Sequence, residues 1–394
     1  MGRDWLAEVF LACVVFGPAC FHPSYDRPAC GPRDECPTGL ACGAQHVCEP
    51  PVELLVDSGV SGPGSDSQSA VDAAACFGTG LVHLCLETPP TSPLMISTRL
   101  LLDTDSSPMC ASVPNGNKYC VIAGTTITLE ARLRATGARP LVLIASDSIA
   151  VSALVDVGSH RGDDPEIGAG ADPASCSDAN ARPGVAGGGA GGSFVTEGGA
   201  GGASGGAGGL PGAATTAIVD LRGGCAGQSG QGSGGGSGGH GGGAVYVIAG
   251  QRIDVIGAIN AAGESGDGGV GPMSGGGGAG AGGMIGLDAP TIMGVGLILA
   301  NGGGGGEGSD DDANGIRGSD PSGVDAATGG NSGADRGGDG GDGADAVTLA
   351  RDGQAGAVVA GRAGGGGGGG GAAGVVKAPA GAMLGTQVSP SPAP

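Results

Sequence analysis

The sequence predicts a mainly β protein: a short parallel β-helix-like solenoid with long Gly-rich insertions, preceded by a disulfide-rich mini-module. Three observations lead there. A strand–corner–strand pattern recurs four times, Gly-rich runs of unequal length separate the copies, and cysteines crowd the N-terminal part. The copies read YCVIAGTTITLEARLRATG at 119–137, LVLIASDSIAVSALVDVGS at 141–159, VYVIAGQRIDVIGAINAAG at 245–263 and IGLDAPTIMGVGLILANG at 285–302. Each runs through apolar residues into an Ala (Ala123, Ala145, Ala249, Ala289), turns a short corner, and restarts at an Ile (Ile127, Ile149, Ile253, Ile292). Alternation with a period of two marks a half-buried strand, and a repeated strand unit marks stacked coils.

In the first copy Ile127, Leu129, Ala131, Leu133 and Ala135 share one face, against Thr128, Glu130, Arg132, Arg134 and Thr136 on the other. The same count turns inward Ile149, Val151, Ala153, Val155 and Val157; then Ile253, Val255, Gly257, Ile259 and Ala261; then Ile292, Gly294, Gly296, Ile298 and Ala300. Ile127 and Ile149 stand too close to admit a helix between them. Parallel strands stacked coil on coil bury such a face. An antiparallel meander or β-sandwich fits the local alternation too. VKAP at 376–379 echoes LDAP at 287–290 as a terminal copy, and AIVDL at 217–221 reads as a further isolated strand.

Glycine fills 93 of 394 positions, against one Trp, three Tyr and five Phe. Such tracts have few side chains to bury, so they are flexible loops or else packed polyglycine-like helices held by backbone hydrogen bonds, with three residues per turn. The net charge of −21, with lysine only at Lys118 and Lys377, excludes nucleic acid as a partner, because phosphate binding needs a basic face.

Residues 1–19 read as a signal peptide, with Arg3 ahead of an apolar run from Val9 to Phe16 and Gly17-Pro18-Ala19 before Cys20. Cys20 is the candidate lipid-anchor residue, which ties the chain to a membrane; plain secretion is the rival reading. Residues 20–49 hold Cys30, Cys36, Cys42 and Cys48 at intervals of six, a disulfide mini-module in an exported chain. A zinc site is the rival, at a spacing unlike paired zinc knuckles. Residues 50–75 are a Ser-, Gly-, Asp- and Pro-rich linker expected to be disordered, and 76–394 form the Gly-rich domain. Within it Cys76 and Cys85, Cys110 and Cys120, and Cys176 and Cys225 are the expected disulfide partners, so that ten cysteines remain for bridges once Cys13 leaves with the signal and Cys20 takes lipid.

CFHPSYDRPACGPRDECPTGLACG, CFGTGLVHLC and RPLVLIASDSIAVSALVDVGSHRGDDPEIGAGADP, together with the closing Gly run, VVKAPAG and SPSPAP, resemble the glycine-rich exported, lipoprotein-like proteins of myxobacteria. The resemblance covers nearly the whole chain. It implies a location at the cell surface or outside the cell and carries no activity or site.

Chemistry-bearing motifs are weak. GASGG at 202–206 and the GSGG runs near Ser237 match a nucleophile elbow only because Gly surrounds every Ser. RGD at 161–163 reads as a solvated turn. SDDDANGIRGSD at 309–320 places Asp310, Asp312 and Asn314 ahead of Gly315 like the first half of a calcium loop, but Pro321 stands where a bidentate Glu belongs. GGDGGDGAD at 337–345 matches a calcium-binding nonapeptide once, with Ala344 in its large apolar position. A solvated acidic loop is the rival to both, and no other cofactor is expected. Glu130, Arg132, Arg134, Asp156 and Asp254 are the outward-facing residues from which a polysaccharide-cleaving β-helix would draw its acid and base. The expectation is a non-enzymatic protein, anchored at the outer membrane surface or secreted, with a structural, adhesive or matrix-binding role. A carbohydrate-active β-helix enzyme acting on acidic polysaccharide is the alternative. The expected partner is a cell-envelope or extracellular-matrix component.

Overall fold

A computed structural model describes residues 41–42, 48–49 and 75–394, the last without 112, 114–117, 163–166, 177–181, 216, 333–335 and 360. The chain divides into two units, Met1–Ser69 and Ala70–Pro394. In the first, β1 (Ala41–Cys42) pairs antiparallel with β2 (Cys48–Glu49). Cys20, Cys30, Cys36, the signal segment and nearly all of the linker lie outside the described residues.

The second unit opens with an antiparallel hairpin, β3 (Ala75–Phe77) and β4 (Leu84–Leu86). Stacked strands follow: β5 (Leu94–Ile96) and β6 (Leu100–Asp103), β7 (Cys120–Gly124), β8 (Ile127–Leu129) and β9 (Leu133–Thr136), then β10 (Leu141–Ala145), β11 (Ser148–Val151) and β12 (Leu154–Asp156). After a long insertion come β13 (Ala244–Ala249), β14 (Arg252–Val255) and β15 (Ala258–Asn260), and after another, β16 (Met284–Asp288), β17 (Thr291–Gly294) and β18 (Leu297–Leu299). A small hairpin, β19 (Val358–Val359) and β20 (Arg362–Ala363), precedes the last triplet, β21 (Val375–Lys377), β22 (Met383–Leu384) and β23 (Val388–Ser389). No α-, 3₁₀- or π-helix forms among the described residues.

The strands sort into three parallel sheets, ordered β7-β10-β13-β16-β21, β5-β8-β11-β14-β17-β22 and β6-β9-β12-β15-β18-β23. Register carries the repeat: Ile127, Ile149, Ile253 and Ile292 stand side by side across the second sheet. These residues, with Leu129, Leu133, Val151, Val155, Val255, Ile259 and Ile298, form one buried cluster between the sheets. The antiparallel meander is thereby set aside. VKAP begins the last triplet, whereas 217–221 forms no strand: Asp220 there takes hydrogen bonds from Lys118 and Tyr119 instead.

Each second alternating run is two strands rather than one. The chain bends at Ala131, Ala153, Gly257 and Gly296, where two successive amides share one carbonyl, as Ser152 and Ala153 share Leu129 O. The bend keeps the in–out parity, so a period-two pattern passes through it unmarked. Small residues are required there: a Cβ on Gly296 would sit 2.0 Å from Gly257 O.

The first sheet is covered on both faces. Val142, Ile144, Tyr246, Met284 and Val375 on its outer side pack against Val82 and Leu84 of the first hairpin region and against Phe194, Leu221, Ala281 and Ala372 of the insertions. Its strands are therefore almost continuously apolar, as strands buried on both faces are. The outer side of the second sheet leaves Met95, Met293 and Met383 exposed.

All three long insertions (157–243, 261–283 and 300–374) leave after a strand of the third sheet and return into the first. They are ordered by backbone hydrogen bonds with a three-residue period. Gly276, Ala279 and Gly282 donate to Gly366, Gly369 and Ala372 at 2.9–3.0 Å, and Gly366, Gly369 and Ala372 donate onward to Ala186, Gly189 and Gly192 at 2.9–3.0 Å. Of the two expectations for the Gly tracts, the polyglycine-like helix is the one the chain adopts.

The helices pack hexagonally. The run 364–374 bonds to six neighbours, namely 186–192, 199–202, 276–282, 303–309, 338–344 and 351–357. The runs 275–283 and 300–309 are surrounded in the same way. Threefold symmetry points successive residues at different neighbours: Cβ atoms on Gly366, Gly367 and Gly368 would meet Gly202 O at 2.0 Å, Asp339 O at 1.9 Å and Gly277 O at 1.9 Å. An enclosed helix therefore has almost no direction for a side chain, and 275–283 and 364–374 hold nothing larger than alanine. Helices at the edge have one, and there the sequence reads Gly-Gly-X, as in 337–345 with half-exposed Asp339, Asp342 and Asp345.

Candidate functional site

Polar side chains gather in two knots where the insertions meet the sheets. The first lies on the third sheet, where Arg134, Asp156 and Asn260 stand in one cross-strand row. Asp156 is fully buried and accepts from Arg134 at 3.3 Å, from the Asn260 amide at 3.2 Å and from Gly158 N at 3.2 Å, with Arg132 on its other oxygen and His160 at 3.0 Å. Burial alone would raise the Asp156 pKa. His160, Arg134 and Arg132 outweigh it and bring the carboxyl down to about 2. Arg134 also donates to Gly158 O and is itself buried.

Parity correctly separates Arg132, Arg134 and Asp156 from the apolar face, but the expectation that they look onto solvent is corrected for Arg134 and Asp156, while Arg132 stays about one-third exposed. The chain after Asp156 folds back over its own strand, through the Gly158 bonds and the Thr136–Gly168 bridge. Glu130 is exposed, and Asp254 pairs with Arg252 at 2.6 Å. The acids and bases sought for polysaccharide cleavage are thus a buried ion-pair knot, a lone exposed Glu and a surface pair. They share no groove.

The second knot ties the insertions together. Glu264, fully buried in the edge helix 261–269, accepts from His240 N at 2.7 Å and faces Arg161 Nε at 3.1 Å. Arg161 also donates to Gly238 O and Ser265 O. The arginine of the RGD triplet therefore works inside the bundle instead of in a solvated turn. His240 Nδ1 lies 2.7 Å from Asp172, whose other oxygen accepts from Gly241 N at 2.8 Å. The Asp172 hydrogen bond raises the His240 pKa against the cost of burial, helped by Glu264 and opposed by Arg161. Among the described residues no serine hydroxyl is bonded to His160 or His240, so neither His–Asp pair extends to a nucleophile.

The cysteines of the second unit are bridged as Cys76–Cys85, Cys110–Cys120 and Cys176–Cys225. The last closes a 49-residue span around the first Gly-rich insertion. Cys42 and Cys48 lie opposite each other in β1 and β2.

Asp310, Asp312 and Asn314 do not form a ligand set. Asp310 is buried and accepts from the amides of Asp312, Ala313 and Arg336, while the Arg336 guanidinium lies 3.4 Å from Asp310 and 2.9 Å from Asp312. Asn314 accepts from Gly271 N. An arginine stands where the calcium expectation put a cation. Among the described residues no group of three or more His, Cys, Asp or Glu is placed to hold a metal ion. In the 337–345 motif the Asp residues alternate onto the bundle surface, with Asp342 accepting from Gly329 N.

Among the cavities of the described residues, one of about 500 Å³ lies beside the Cys176–Cys225 bridge, lined by Lys118, Thr215, Ile218, Asp220, Leu221 and Arg222 among others. No sequence motif announces it, because its residues come from four separate stretches. No protein-family model, curated protein or solved structure matches this chain.

Proposed function

We propose that this is a non-enzymatic protein of the cell surface or the extracellular matrix, in which a short β-helix-like solenoid carries a rigid polyglycine slab that serves as its binding surface. The slab is the observation that carries this reading. Three helices with few side chains at its centre are enclosed by further helices, and in those at 199–203 and 337–345 the third residues Ala200, Ala203, Asp339 and Asp342 face outward. At about 3.1 Å per residue, those side chains recur roughly every 9 Å along each edge helix. Small polar groups on a flat, preorganised surface suit the adhesion of a repetitive polymer, because little ordering entropy is lost on contact.

Export with a lipid at Cys20 belongs to the same proposal, as does kinship with the myxobacterial proteins that the sequence resembles. Among the described residues no helix is long and apolar enough to cross a membrane, so the lipid would supply the anchor. Full burial of Asp156 speaks against the carbohydrate-active alternative, since a general acid must reach its substrate.

The deciding experiment is sedimentation of purified protein with envelope and matrix fractions, beside a panel of acidic polysaccharides assayed for cleavage. Retention on a fraction without turnover is expected. Turnover that disappears on replacing Glu130 or Asp156 would overturn the proposal.

A further inference from the structure

Arg222 follows the 217–221 segment within the first insertion and is half buried. Its guanidinium lies 5.0 Å from the centre of the Phe194 ring. Nε donates to Gly223 O at 3.2 Å, one terminal nitrogen approaches the Thr215 hydroxyl at 3.4 Å, and the other approaches the Cys225 and Cys176 sulfurs at 3.0 and 3.4 Å. None of these contacts carries negative charge. Asp220, which lines the same cavity, is already taken by Lys118, the Tyr119 hydroxyl at 2.6 Å and Leu221 N at 3.0 Å. Among the described residues, Arg222 has no acid partner in a chain with a net charge of −21.

A desolvated arginine left without an acid, lining a cavity, is half of an ion pair. Its planar fork matches a carboxylate in a two-point contact. The cavity volume of about 500 Å³ falls in the range for small-molecule sites, which combine apolar walls with a few convergent polar groups. Here Ile218 and Leu221 supply apolar wall, the Thr215 hydroxyl lies 3.4 Å from the cation, and Ser175 lines the same cavity. Burial lowers the Arg222 pKa, and an incoming anion would relieve that cost.

We propose that this cavity binds the carboxylate of an acidic sugar, with Arg222 as the ligand-pairing residue and Ser175 and Thr215 meeting the sugar hydroxyls. The acidic-sugar assignment rests on the matrix-binding reading above; the carboxylate pairing rests on the cavity alone.

Titration calorimetry with glucuronate and galacturonate tests it, with glucose as neutral control and inorganic sulfate as a plain anion at matched ionic strength. Saturable uronate binding is expected, without glucose or sulfate binding. Arg222→Met should weaken it at least about tenfold, the scale of a lost charged hydrogen bond, and Arg222→Lys should fall between. Since either variant could disturb the Phe194 contact, the wild-type Arg222 Nε–H resonance should also shift along the same isotherm. Absence of uronate binding, binding unchanged in Arg222→Met, or equal affinity for sulfate overturns the assignment. Envelope retention that persists while wild-type protein binds no uronate overturns this site alone and leaves the adhesive reading standing. Uronate binding by protein that no envelope or matrix fraction retains supports the site and removes the reading above.

Discussion

The three sheets and the glycine slab are held together by opposite means. Between the sheets, Ile, Val and Leu fill the interior, and stability comes from apolar area withdrawn from water. In the slab there is almost nothing apolar to bury. Backbone amides bond to carbonyls of neighbouring helices, close enough that a Cβ has no room. The sheets therefore fail when atoms are removed, and the slab fails when atoms are added. One chain thus contains a region where glycine is the damaging substitution and another where glycine is the requirement.

The largest effect expected from this contrast is in the sheets. Ile253 is fully buried, between Ile149 and Ile292 of adjacent strands. Ile253→Ala should cost about 4 kcal/mol, the transfer loss plus the cavity left between strands that cannot close up. Chemical denaturation of the two proteins measures it. A loss below about 1 kcal/mol would mean that the sheets, like the slab, depend on backbone bonding.

Gly368→Ala is the mirror experiment and the next in size. The added methyl would lie 1.9 Å from Gly277 O, and the obstacle is backbone, so relief requires moving a whole helix. We expect a loss of about 3 kcal/mol, the upper range for overpacking. Ala200→Ser, at a half-exposed third position of an edge helix, should stay within about 0.5 kcal/mol. If Gly368→Ala proves as mild as Ala200→Ser, the hexagonal enclosure of 364–374 is wrong.

How much of this contrast could be read from residues alone also differs between the regions. The inward sets Ile127–Ala135, Ile149–Val157, Ile253–Ala261 and Ile292–Ala300 were legible, because a strand announces its buried face by its own period. β5 and β6 leave no such mark: LMI and LLLD are too short for alternation to show. The order of the slab was legible only as one of two options. A polyglycine helix is specified by its neighbours, and composition does not record which runs are adjacent. A usable signal does exist. The longest uninterrupted glycine runs, 302–306 and 364–371, belong to enclosed helices, while the Gly-Gly-Asp triplets of 337–342 belong to the edge. The buried charges were hidden for another reason. Asp156 has the correct parity for an outer face, and only the fold-back at Gly158 buries it.

The junction between the regions should respond to acid. The folded-state pKa of Asp156 is lowered to about 2 from 3.8. Its contribution is therefore complete above pH 4 and lost as the pH falls through 2. It amounts to about 2 kcal/mol at neutral pH by linkage. Urea midpoints of the wild type and Asp156→Asn should differ at pH 6 and converge toward pH 2. A gap independent of pH would show that the carboxylate charge, as opposed to its hydrogen bonds, contributes nothing.

The smallest effect has the opposite sign and lies inside the slab. His240 sits between Asp172, Glu264 and Arg161, and its pKa is raised chiefly by the Asp172 hydrogen bond. A histidine whose folded value exceeds the unfolded 6.5 stabilises fully below pH 6.5 and loses that contribution as the pH rises through the folded value. Its imidazole remains about one-third exposed, so solvent screens the pair and the effect should be modest. Asp172→Asn removes the charged partner, and its melting temperature should lie below the wild type at pH 5.5 and draw closer by pH 9. The two acid–base pairs then act at opposite ends of the pH range. Asp156 secures the third sheet against acid, and His240 secures the edge helix 235–243 until the medium turns alkaline. Should the Asp172→Asn gap instead widen with rising pH, His240 is neutral in the folded protein, and Asp172 acts through its bond to Gly241 N alone.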